Sequence, residues 1–347
     1  MIIMNLIYPF PTLLLSVIAS LTMYSCGDKM AESVPYVIFD TDMGSDCDDA
    51  GALALLHYYE NEDKIKILGC IYSSGKVPYG AAIIEAINIY YGKPGIPIGA
   101  AHDTLVGDPE DKMSAAKLAL DQAAFNHKII HNTDAPEQTL LNRILLSEAE
   151  DNSVIYLTVG HTKGLYDLLT SKPDLISPLS GYDLAKQKIK RWVALGALNA
   201  ANSEGDYVRD WNFAFNGTAS YTHYTVNNFP GEIVFIDAGN DVYTGKSLMQ
   251  TPPGNIVRTI YRDWLWNVYQ KPLEHQRPSW DLAAVYYTVE GTGMFLEYAS
   301  PGRLLFDSEK GSKWEPMREQ TNHRFVLQKK GVDNLFEDYL NVRLVKE

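Results

Sequence analysis

The stretch Tyr36-Val37-Ile38-Phe39-Asp40-Thr41-Asp42-Met43-Gly44-Ser45-Asp46-Cys47-Asp48-Asp49-Ala50 decides how this chain is read. Its β-branched and aromatic opening predicts a short strand. The apolar run Ala52-Leu53-Ala54-Leu55-Leu56 just beyond it predicts a helix over 50–59. Between the two, five carboxylates (Asp40, Asp42, Asp46, Asp48 and Asp49) are crowded into one loop. A solvated acidic loop fits poorly, because core-like runs flank it directly on both sides. Carboxylates packed this closely raise one another's pKa unless a cation or hydrogen-bond donors neutralise them. A hard divalent ion with oxygen ligands satisfies the cluster, and Asp48 and Asp49 gain further from the positive end of the helix they open.

Outward from this segment, strand-like and helix-like runs alternate. Residues 65–71 read as a strand, 81–91 as a helix closed by Gly92 and Pro94, and 96–99 as another short strand. Asp134, Pro136 and Glu137 mark the start of a helix over 138–149. Apolar strands at 154–159, 192–195 and 232–236 follow, with helical material between them. Almost continuously apolar strands separated by helices indicate an α/β fold with a mainly parallel central sheet, flanked by helices on both faces. No linker, repeat or low-complexity tract interrupts it, so 27–347 reads as a single domain, with a hairpin near residues 294–327. Ligands of such sheets sit beyond the carboxyl ends of the strands, where the acidic loop lies.

Composition narrows the function. The 347 residues are 46% hydrophobic and 21% charged, which is ordinary globular usage and excludes disorder, collagen and coiled coil. A formal charge of −13 lacks the basic footprint that phosphate backbones require, so nucleic acid is excluded as a partner. Three cysteines are too few for a disulfide scaffold and lack zinc-site spacing. Cys47 and Cys70 both lie near strand ends, so an oxidising compartment could bridge them, although a free Cys47 whose thiol pKa is raised by the neighbouring carboxylates is the main reading.

Charge is also unevenly placed: the first charged residue is Asp28. The apolar run at 13–19 ends in Leu21-Thr22-Met23-Tyr24-Ser25-Cys26-Gly27, which reads as an export signal over 1–26 with a lipobox-like end, Met23 standing where Leu is usual. Pro9 and Pro11 argue against a membrane-spanning helix. Cleavage would leave Cys26 N-terminal and lipidated. The expectation is an exported lipoprotein, periplasmic or on the surface of a bacterial envelope, touching the membrane only through its acyl chains.

Three kinds of site carry acidic loops of this sort. An EF-hand counted from Asp40 would need Gly at Ser45 and Glu at Gly51, so it fails. A haloacid-dehalogenase-type phosphatase would make Asp40 the nucleophile and Asp42 the acid, and leaves the Asp48-Asp49 pair unexplained. The segment resembles most the N-terminal fingerprint of the inosine-uridine-preferring nucleoside hydrolase family, Asp-x-Asp-x-Gly-x-Asp-Asp-Ala. Two extra residues lie between Gly44 and Asp48-Asp49, a form associated with divergent bacterial members. Three later matches follow in family order: Leu157-Thr158-Val159-Gly160 for a strand ending in Thr-Gly, Asp210-Trp211-Asn212 for Glu-Phe-Asn, and Ser279-Trp280-Asp281-Leu282-Ala283 for a late Trp-Asp signature.

The resemblance implies Ca2+ held by Asp42, Asp49, Asp281 and the Val159 carbonyl. Asp42 would also be the general base for water attack on a nucleoside or related glycoside of purine or pyrimidine salvage, with inversion. It further implies that Asp48, Asp210 and Asn212 bind the sugar, that Trp280 lines the base and that Asp40 orients the loop. Lys76 stands where many members place an Asn that reads the ribose diol, and a homo-oligomer is expected. Trp280 replaces the His that protonates the base in some members, and an indole cannot do so at neutral pH. His102, His127, His131, His161 and His223 all read as ordinary surface or core residues, and Asp46 is either a neighbour of the ligands or exposed. These departures leave a second reading, a calcium-dependent sugar- or nucleoside-binding lipoprotein without turnover.

Overall fold

Six strands follow the alternation read from the sequence: β1 (Tyr36–Thr41), β2 (Lys66–Tyr72), β3 (Ile98–Ala100), β4 (Val154–Thr158), β5 (Ile189–Leu195) and β6 (Glu232–Asp237). Two-residue strands β7 (Tyr243–Thr244) and β8 (Arg277–Pro278) pair apart from them, and β9 (Leu296–Tyr298), β10 (Gly302–Asp307), β11 (Gly311–Pro316) and β12 (His323–Gln328) complete the set. The computed structural model describes residues 34–345, which form one compact unit; the export signal and Cys26 lie outside the described residues.

The central sheet has the order β3-β2-β1-β4-β5-β6-β12-β9. Every pairing in it is parallel except that of β9 with β12. Alternation along β1 shows why both faces need cover: Val37 and Phe39 enter one buried cluster and Ile38 the other. Helices Asp48–Asn61, Gly80–Tyr90, Ile256–Tyr269, Trp280–Glu290 and Asp333–Leu344 cover the first face. Helices Gln138–Glu148, Lys163–Thr170, Gly181–Lys188 and Ala219–Asn228 cover the second. Helix Asp48–Asn61 is buried almost all round, as its unbroken apolar run requires.

One expectation needs correction. The hairpin exists as β10–β11, with Gly302 opposite Pro316 and Asp307 opposite Gly311, but β12 does not extend it. β12 lies parallel to β6 inside the main sheet, because Phe325 and Val326 are buried on opposite faces and each needs its own cover. Cys47 and Cys70 are both free and buried. Cys70 pairs with Phe39 within the sheet, whereas Cys47 lies in the loop beyond the end of β1. Burial pushes the Cys70 thiol up to about 12, and burial followed by the Asp46 and Asp48 charges holds Cys47 well above the usual thiol range.

From β1 the chain runs outward to β2 and β3, then returns to place β4 on the other side of β1. The sheet therefore reverses its winding between β1 and β4, where Asp40 lies opposite Thr158. That reversal opens a crevice at the carboxyl ends of the two strands.

Candidate active site

A cavity of about 360 Å3 fills the crevice, within the range of small-molecule sites. Its wall takes Asp42, Asp48 and Asp49 from the loop after β1, Val159 from the end of β4, and Leu195 and Gly196 from the end of β5. Asp210 to Asn212, Arg277, Trp280 and Asp281 come from farther along the chain. One carboxylate oxygen from each of Asp48, Asp49 and Asp281 lies within 4.8 Å of the others, all three side chains buried. The Asp281 backbone N–H donates to Asp48 Oδ2 at 3.2 Å, and Thr41 Oγ1 donates to Asp49 Oδ1. Burial, and after it the neighbouring carboxylates, hold the pKa of all three well above the usual range.

Asp42 sits on the same wall, pushed up to about 7 by burial first and by the Asp46 charge next. The close trio thus contains Asp48 where the resemblance places Asp42. Oδ2 of Asp42 faces His161 Nε2 at 3.7 Å; His161 is fully buried, and its Nδ1 lies 3.3 Å from the Asn212 carbonyl. Gly160 is required at its position, since a Cβ there would stand 2.5 Å from the Asp42 nitrogen and 2.8 Å from its Oδ1. Gly44, at φ +120°, takes the left-handed turn that brings the loop back toward the helix.

Asn212 donates through Nδ2 to the Val159 carbonyl at 2.6 Å and to the Leu195 carbonyl at 3.4 Å, tying the ends of β4 and β5 together. Both oxygens of Asp210 are occupied by backbone, Oδ1 by Phe213 N and Oδ2 by Ala197 N, each at 3.1 Å. Asp210 therefore caps the turn that presents Asn212, although it borders the cavity; burial pushes it up to about 7. Asp40 lies beneath the site and off its wall, accepting from Ser73 Oγ at 2.5 Å and Tyr156 OH at 3.0 Å. These bonds tie the end of β1 to Ser73 and to β4, and full burial leaves Asp40 without the access that the nucleophile of the phosphatase reading needs.

Lys76 is a second correction. It does not line the cavity; its Nζ reaches the Asn216 carbonyl at 3.4 Å, because the chain after β2 folds back to bond Val106. Asp46 is neither idle nor free, since Arg277 clamps both its oxygens from Nε at 3.0 Å. Sequence reasoning missed Arg277, and with it Lys112, Trp264 and Tyr269, which complete the wall beside Trp211 and Trp280. A cation four residues ahead of Asp281 was the available signal, but its partner is 231 positions away.

The donor set suits a hard divalent cation. Its ligand atoms are all oxygen, and among the described residues no lysine or arginine pairs with Asp42, Asp48, Asp49 or Asp281. The nearest guanidinium, that of Arg277, is committed to Asp46.

Solved structures share this fold along nearly their whole length. A plant nucleoside hydrolase superposes with a TM-score of 0.65 at 14% identity, covering 90% of this chain and 100% of its own. The inosine-uridine preferring nucleoside hydrolase of Bacillus anthracis gives 0.63 at 16% identity, with 90% and 100% covered. The chain has the nucleoside hydrolase fold. A purine-preferring ribonucleoside hydrolase from Gardnerella vaginalis gives 0.61 at 14% identity, with 89% and 98% covered. No family model and no curated protein matches the sequence, so in this instance the nucleoside hydrolase fold persists where overall sequence likeness has faded.

Proposed function

We propose that this chain is a divergent nucleoside hydrolase that cleaves an N-glycosidic bond by water attack on the anomeric carbon, with inversion. One observation carries the reading: Asp48, Asp49 and Asp281 converge at the switch point of a nucleoside hydrolase fold, facing Asn212 across one cavity. A Ca2+ ion would be held by Asp42, Asp49, Asp281 and the Val159 carbonyl, with Asp48 beside them in the close trio, and would orient the sugar hydroxyls and acidify a water. Asp42 takes the proton of the attacking water. Asp48 accepts from a sugar hydroxyl, and Asn212 holds the far side of the ring. Trp211 and Trp280 offer flat apolar faces to the base. The test is ribose release from purified protein given a nucleoside panel, with and without chelator. Chelator-sensitive release is expected; no release from any riboside overturns the proposal.

Among the described residues no histidine lines the cavity. That absence favours a second reading, calcium-dependent capture of a sugar or nucleoside without turnover, which calorimetric binding without product would support. For residues 1–26 the proposal is export and anchoring through Cys26. Cys26→Ser should abolish incorporation of labelled palmitate and move the protein from the membrane to the soluble fraction.

A further inference from the structure

Departure of a nucleobase leaves negative charge on its ring, and the cavity must hold something that steadies it. Among the described residues two cations border the cavity, Lys112 and Arg277. Lys112 is paired with Asp108 at 2.6 Å and lies 5.3 Å from the Trp211 ring, whose residue is 43% exposed. Arg277 lies deeper, its side chain only 15% exposed, at the aromatic end of the wall. Its guanidinium carbon is 4.4 Å from the Trp264 ring centre and 4.8 Å from that of Trp280. Nε and Nη2 grip Asp46, and Nη1 donates to Tyr269 OH at 2.8 Å. An arginine has five N–H groups. Among the described residues the second hydrogen on Nη1 and that on Nη2 meet no acceptor. The fork is therefore held in plane by Asp46, Tyr269 and two indoles while donors remain unspent beside the cavity.

We propose that Arg277 is a catalytic residue that stabilises the departing base by charge and hydrogen bonding, without giving it a proton. The inference rests on the nucleoside hydrolase reading and deepens it. The C1′–N bond breaks with its electron pair going to the base, where it spreads onto ring nitrogen or carbonyl oxygen, and Arg277 donates to that atom. The water oxygen bonds to C1′ and its proton passes to Asp42. The base collects a proton from solvent after release, so one water is consumed and free sugar and neutral base result. A guanidinium suits this role because it stays charged at any working pH and cannot be titrated away. Preorganised donors aimed at developing charge are among the largest contributions to catalysis. The two-residue insertion in the acidic loop acquires a purpose here, since it carries the carboxylate that aims the fork.

The test compares two leaving groups. Parent enzyme, Arg277→Gln, Arg277→Lys and Asp46→Asn are assayed on the best of inosine, guanosine, adenosine, uridine and cytidine, and on 4-nitrophenyl ribofuranoside, whose phenolate departs unaided. For Arg277→Gln the nucleoside kcat should fall roughly 100-fold further than the aryl riboside kcat, the loss typical of a donor at a developing anion. Asp46→Asn, which keeps the cation and an acceptor oxygen for it, should lower that ratio far less than Arg277→Gln does. A purely structural clamp would lower both substrates equally in Arg277→Gln and Asp46→Asn, which overturns the inference and spares the proposed function. If Arg277→Gln does not fold, Arg277→Lys carries the comparison: a partial fall of the ratio supports the inference, and an unchanged ratio with reduced rates on both substrates overturns it. A parent inactive on both substrates overturns the nucleoside hydrolase reading itself, and this inference with it.

Discussion

Gly160 and Asp281 show how narrowly single residues are specified. At Gly160 the Asp42 backbone and carboxylate occupy the space of a side chain. Gly160→Ala must therefore push Asp42 aside, and a displacement near 1 Å at a catalytic group costs on the order of 100-fold in rate. The expected result is a large loss of kcat with far-UV circular dichroism unchanged. Asp281→Asn keeps the shape of the side chain and removes one charge from a buried cluster. It should weaken calcium binding by calorimetry yet raise the melting temperature of the chelated protein, because the remaining carboxylates repel less. The acidic loop, Asn212 and Asp281 were legible because each sits at a strand or helix boundary inside a short recognisable string. Arg277 was not, since an arginine has meaning only beside its partner, and its partner belongs to the other end of the chain.

Among the elements, helix Asp48–Asn61 does most to position the site, and it carries a buried histidine. His57 is fully buried, 2.9 Å from Asn88 Oδ1 through Nε2 and stacked on Tyr91, and burial lowers its pKa from 6.5 to about 4. Between those values the unfolded chain holds a proton that the folded helix refuses. The stabilising share of His57 is thus complete above pH 6.5, declines as pH falls, and is exhausted below about 4. At about 1.4 kcal/mol per pH unit the loss is at most roughly 3 to 4 kcal/mol. Urea midpoints measured across this window should fall less steeply in His57→Phe than in the parent. Strands β1 to β6 were readable as elements because parallel strands covered on both faces are almost continuously apolar. β12 escaped because His323, Arg324 and Gln328 break its run, so only tertiary placement reveals it as an inner strand. Lys76 misled for a related reason: spacing after a strand does not say which way a loop folds back.

For the molecule as a whole, the acidic cluster sets a charge balance that a bound ion would reverse. Without a cation, buried carboxylates oppose folding at neutral pH; with one, they become ligands. Calcium should raise the melting temperature and chelator lower it, with about 2.7 kcal/mol gained at a hundredfold excess over Kd. Differential scanning fluorimetry across a calcium titration checks this, and magnesium, which demands a smaller and stricter shell, should do less. β12 lies between β6 and β9, and the last helix meets the first through Tyr339 and Tyr59, whose hydroxyls are 3.0 Å apart. A polypeptide ending before His323 would leave β6 as a bare row of amides and carbonyls, a template for any passing strand. Trimming the tail should therefore yield inclusion bodies, even though nothing it removes borders the cavity.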